Sequence, residues 1–133
     1  MVDLSALFAI GQGLADQAIA TSGTTVRFEH PTGSTTDPDT LVTTQTRDLI
    51  GDAEAIVTHV SLSDTQVAPG VTVKAGDWRV VLHADSAPVE PGDTCTIGEC
   101  RDARFVNQAG KVLGSTGSSA GAVRTVFVRP GVL

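Results

Sequence analysis

Hydrophobic positions along the chain change their period once, near Gly23. Before it, Leu4, Leu7, Phe8, Leu14, Ala18 and Ile19 recur at spacings that place them on one stripe of a helix over residues 3–20. Asp3 or Ser5 can cap its start, because a short side-chain oxygen accepts a backbone N–H that the first turn leaves free. Gly23 suits its stop. Gly11 and Gly13 each cost about 1 kcal/mol relative to Ala inside a helix. The helix therefore needs packing, either on a sheet of its own chain or on a neighbouring subunit.

After Gly23 the alternation has period two, the mark of half-buried strands. Strands are expected over 25–29, 53–60, 71–73, 78–84, 94–97, 103–106 and 123–128. Residues 41–47 are Thr-rich and can extend, although apolar anchors are few. The segment 31–40 (PTGSTTDPDT) reads as a polar, turn-rich loop, with Pro38 biasing the chain away from helix. Residues 110–121 (GKVLGSTGSSAG) read as a flexible hairpin loop or tip. Short strands bounded by Gly, Pro and Asp predict a mainly β fold, a small antiparallel β-barrel or sandwich with one N-terminal amphipathic helix. The expectation is a single domain over 1–133: helix 3–20, barrel 24–133, and long loops at 31–47 and 110–121.

Composition narrows the function without naming it. The 133 residues carry 15 Asp and Glu against 9 Lys and Arg, a net charge of -6. An acidic surface does not attract phosphate backbones, which argues against sequence-independent nucleic-acid binding. Aromatic residues make up 4% of the chain, with no Tyr, so the stacking platform of a single-strand binder is missing. No apolar run approaches the roughly 20 residues that span a bilayer. Asp3 stands where a secretory signal would carry its basic flank. These features leave a soluble intracellular domain rich in Val, Thr and Gly.

Candidate chemistry is sparse. Cys95 and Cys100 are expected as free thiols; Gly98 permits a turn that would instead allow a local disulfide, and a metal site lacks a second ligand pair. His30, His59 and His83 are scattered. A short phrase, V-x-x-G-D, occurs twice, ending at Gly76-Asp77 and Gly92-Asp93. These residues are expected to form β-turns with solvated carboxylates, since Gly takes positive φ and Asp bonds a turning backbone. Similar turns occur in lipoyl- and biotinyl-carrier domains, but Lys74 precedes its turn and Lys111 lacks the modified-lysine setting. No G-x-S-x-G elbow or phosphate-cradling G-K-[ST] ending is present. Asp37 and Asp39 do not space like a calcium loop. Trp78 opens a strand and is expected in the core. Arg101, Asp102 and Arg104 form a charged cluster, read as a solvated turn or an inter-subunit ion pair. Catalytic, cofactor and metal sites are all expected to be absent.

The order of these pieces is more informative than any one of them. A helix, a strand and a long polar loop lead into strands introduced by the two Gly-Asp turns. The tail then runs GDWRVVLHADSAPVEPGDTCTIGECRDARFVNQAGKVLG to VRTVFVRPG. This order resembles the small head-to-tail stopper proteins of long-tailed actinobacteriophages. In that family a P-x-x-G-D turn, a C-x-D segment and an Arg-rich last strand recur; residues 88–93, 100–102 and 124–129 occupy those positions.

The resemblance implies a non-enzymatic virion part of the phage neck, assembled in the host bacterial cytoplasm. It implies a homo-oligomeric ring, hexameric in that family, below a portal and adaptor ring and above a tail terminator or tail tube. Double-stranded DNA would pass through without sequence-specific binding, and no membrane is involved. By position, the loop 31–47 would gate the channel, with Thr35, Thr36, Asp37, Asp39, Thr40, Thr43 and Thr44 as its candidate residues. Arg101, Asp102, Arg104, Arg124 and Arg129 are candidates for contacts between subunits. The strand 123–128 offers an edge that could pair across them. The alternatives are another neck component (adaptor, tail terminator or tail-tube barrel) and a monomeric β-barrel binding module.

Overall fold

Alternation of inward and outward residues closes here into a barrel. The computed structural model describes residues 4–60, 65–68, 71–86, 88–116 and 123–131. In chain order these form α1 (Leu4–Thr21), β1 (Thr25–Thr36), β2 (Thr43–His59), β3 (Thr65–Ala68), β4 (Val71–Val73), β5 (Trp78–His83), β6 (Thr94–Glu99), β7 (Ala109–Thr116) and β8 (Val123–Pro130). Six strands hydrogen-bond in the order β1-β2-β5-β8-β7-β6, and β6 returns to β1. Every pairing is antiparallel. The expected class, mainly β with one N-terminal helix, is what the chain adopts.

Inward positions fill the barrel. Val26, Phe28, Ala55, Trp78, Val80, Leu82, Cys95, Ile97, Val112, Val126 and Val128 form one buried cluster. Trp78 is fully buried at its centre, as expected, and meets Phe105 edge-on at 6.3 Å between ring centroids. Six strands enclose less space than the eight that side chains just fill. The barrel is therefore solid, with no bore. A second, smaller cluster lies outside it, where Val60 and Val73 cover Phe127 and Leu113 packs alongside.

Helix α1 lies against β2, β5 and β8. Gly23, at φ 73°, ends it as expected, and the Ser22 hydroxyl donates to Ala55 O at 2.7 Å. The predicted stripe packs only in part. Ile19 is buried, whereas Leu14 is 65% exposed and Ala18 is also exposed. Asp3 and the side chains of Leu4, Ser5, Leu7 and Phe8 lie outside the described residues.

Four expectations are corrected. The loop 31–47 is instead the outer half of a β1–β2 hairpin, because its Thr residues pair across strands, Thr35 with Thr44 and Thr36 with Thr43. Residues 103–106 form a turn, fixed by Asp102, whose carbonyl accepts the Phe105 N–H and whose carboxylate accepts the Arg104 N–H. The first part of 110–121 is strand β7; residues 117–122 lie outside the described set. Finally, β8 is not an edge. It is paired on one side with β5 and on the other with β7, so this strand has no free ladder to offer a neighbour.

Candidate functional site: the β1–β2 arm and the turn at its root

The barrel uses only the inner ends of the two longest strands. β1 pairs with β6 through residues 25–29, and β2 pairs with β5 through residues 55–59. Beyond those limits β1 and β2 pair only with each other and leave the barrel as a two-stranded arm. Seven residues from His30 to Thr36, at about 3.3 Å each, give it a reach of roughly 20 Å. Among the described residues no strand pairs with either edge of the arm.

The seven predicted gating residues gather in its outer part. The Thr36 and Thr43 hydroxyls lie 3.1 Å apart across the hairpin. Asp37 organises the end: its N–H donates to Val42 O, its carbonyl accepts the Leu41 N–H, and its carboxylate accepts the Asp39 N–H at 2.9 Å. Thr40 Oγ1 accepts from the Val42 N–H. This end is a hydrogen-bonded turn. It also displays two residues that the sequence pattern did not single out, Leu41 at 78% and Val42 at 58% exposure. Leu41 sits at φ 57°, a left-handed conformation that costs a non-glycine residue about 1 kcal/mol. An isolated apolar pair in a polar stretch was the only signal for them.

The two Gly-Asp turns form matching clips, the second of them at the arm's root, beside His30. Gly76 and Gly92 take φ 93° and 95°. Asp77 Oδ2 accepts the Lys74 N–H at 2.8 Å, and Asp93 Oδ2 accepts the Glu90 N–H at 2.7 Å. Each turn then bonds one residue on another segment in the same way. Val60 donates to Asp77 O and accepts from Gly76; Val112 donates to Asp93 O and accepts from Gly92. The carboxylates are not solvated as expected: both Asp77 and Asp93 are buried. A basic side chain answers each one. Arg129 donates from Nε and Nη2 to Asp77, at 3.2 and 3.1 Å. His30 Nδ1 lies 2.5 Å from Asp93 Oδ1. Burying a carboxylate without such a partner would be costly, which explains why both turns have one.

The other candidates have partners within the chain. Arg101 donates to Thr21 O at the end of α1, and Arg124 donates to Ser86 O. Arg104 makes a two-point contact with Asp102, at 3.0 and 2.8 Å, which lowers the carboxyl's pKa and raises that of the guanidinium. Both cysteines are free. Burial pushes the Cys95 thiol up to about 12, while Cys100 accepts a hydrogen bond from the Thr24 hydroxyl. Among the described residues no group of three or more His, Cys, Asp or Glu is arranged to hold a metal ion. No described helix is long and apolar enough to cross a membrane.

Charge is divided unevenly. Residues 1–60, which supply α1 and the arm, hold eight Asp and Glu against two Arg; the rest of the chain holds seven of each sign. The whole net charge therefore belongs to the first 60 residues.

Comparison with known proteins returns one family. Neither a curated protein nor a solved structure matches the chain. A family model matches residues 14–129, from the middle of α1 to the end of the barrel. The chain belongs to that family, DUF6093, a family of unknown function.

Proposed function

We propose that this chain is a non-catalytic building block of a phage neck, a stopper that forms a ring below the portal and adaptor, closes the DNA channel and joins head to tail. The observation that carries the reading is the arm: an ordered hairpin, unpaired on both edges among the described residues, that contributes nothing to the barrel ladder. Because the barrel is filled, any channel must lie between copies. An arm of roughly 20 Å is long enough to reach from a barrel wall toward a ring axis.

The charge distribution supports the same arrangement. Asp37, Asp39 and Asp48 stand on the arm against Arg47. Arms pointing inward would repel DNA, so the strand slides past and closure is steric. Leu41 and Val42 at the tips would give the arms apolar surface to bury against one another. The partners are further copies of this chain, the portal or adaptor ring, and a tail terminator or tail tube.

Light scattering of the purified protein, together with its sedimentation in the presence of portal-bearing heads, tests the reading. The expected result is co-sedimentation with heads and a multimeric species. A strict monomer that leaves the heads untouched would instead favour a monomeric binding module.

A further inference from the structure

The arm meets the barrel at a place where its ladder is broken. Register shifts fall between Phe28 and Glu29 and between Pro31 and Gly33, one on each side of His30. Pro31 has no N–H to give the ladder. Beside His30 lies a shallow, open surface depression of about 310 Å³, lined by His30, Ile50, Pro88, Glu90 and Asp93. The two register shifts make this the irregular stretch of the β1–β2 ladder, where the bulged strand can bend. The contact that bridges the break is the hydrogen bond from His30 to Asp93, 2.5 Å long. Its two ends differ: the Asp93 side chain is 2% exposed and fixed by the Glu90 N–H, whereas His30 is 52% exposed and rides on the arm.

We propose that the His30–Asp93 pair is a proton-operated lock that holds the arm at a fixed angle to the barrel when His30 is charged and loosens it when His30 is neutral. The charged groups facing His30 are all acidic. Asp93 and Glu90 belong to the turn before β6, and Asp48 is its register partner on β2. The bond to Asp93 raises the pKa of His30; partial desolvation opposes this, and the charges of Asp93, Glu90 and Asp48 add to the rise. A raised pKa in the locked state means that locking is complete below the ordinary histidine value of about 6.5. It is lost as pH rises through the higher value. Neutral imidazole can still donate a hydrogen bond to the carboxylate, but the attraction between opposite charges is lost.

The matching clip is a built-in control. Asp77 is held in the same turn geometry by Arg129, which stays charged at every accessible pH. One clip is permanent and the other titrates.

The lock gives the arm of the proposed stopper a regulator, but its test requires neither ring nor DNA. NMR on the isolated chain would follow the His30 imidazole and the exchange of arm amides from pH 5 to 9, in wild type, Asp93→Asn and His30→Arg. Asparagine keeps an oxygen for the Glu90 N–H, so the turn is retained. The expected result is a His30 pKa higher in wild type than in Asp93→Asn, each unit of difference being a tenfold change in locking. Protection of amides 30–36 and 43–48 should fall about three- to tenfold beyond the intrinsic rise with pH, and His30→Arg should abolish that fall. Equal pKa values in wild type and Asp93→Asn would overturn the proposal. So would arm protection that ignores pH in wild type, or pH dependence that survives His30→Arg. Should Asp93→Asn not fold, His30→Gln supplies the comparison, with an arm expected to be loose at every pH.

Discussion

Single residues decide where this barrel tolerates change. Gly110 lies on β7 where β8 passes closest: a Cβ there would sit 2.6 Å from Arg129 O and 2.7 Å from Val128 Cγ1. Backbone cannot yield cheaply, so Gly110→Ala should destabilise the fold by about 1–3 kcal/mol in urea unfolding; an unchanged midpoint would contradict the packing described. The two thiols should also separate. Cys95 is buried, with its pKa pushed up to about 12, and forms almost no thiolate at pH 8. Iodoacetamide should reach the half-buried Cys100 first and Cys95 only on unfolding. Equal labelling rates in the native state would show that the β6 face of the core opens. The histidine lock belongs to this scale too, and it was hidden from the sequence. His30 and Asp93 are 63 positions apart, and neither carries a local pattern that announces the other.

Elements were legible where one face is buried. Strand β5 alternates because the barrel interior takes every second side chain, whereas β8 buries Val126, Phe127 and Val128 in succession, Phe127 in the second cluster. The expected bounds of β5, β6 and β8 match to within a few residues. The arm has no buried face, so alternation fails there and its Thr-rich halves look like loop. β7 fails for the opposite reason. Its buried positions include Gly110 and Gly114, which give no hydrophobic signal. Residues 103–106 misled in the other direction, since apolar residues in a turn can mimic a short strand; Asp102 and Asn107, at φ 64°, set that turn. If the arm is a separate unit, it can be removed. Replacing residues 32–46 by Asn-Gly supplies the two-residue turn that an antiparallel pair needs. The variant should keep the circular dichroism of the barrel and a melting temperature within a few degrees of wild type. Collapse of both would make the arm part of the fold's support.

For the whole molecule, fold class was readable from the period of the hydrophobic positions, whereas the organisation around the arm was not. The solid barrel changes the meaning of the negative charge. It is concentrated on the first 60 residues, and only an assembly of copies can turn that surface toward a common axis. Leu41 and Val42 at one extreme, and Ile10 and Leu14 on α1 at 60% and 65% exposure, are apolar surface that the single chain leaves uncovered. Electron microscopy of portal-bearing heads incubated with the protein tests the central claim most directly. A ring of density below the portal, sixfold in the resembled family, with arms directed into the channel, is the predicted result. Heads that stay bare, or a ring whose arms point outward and leave the channel open, would contradict it.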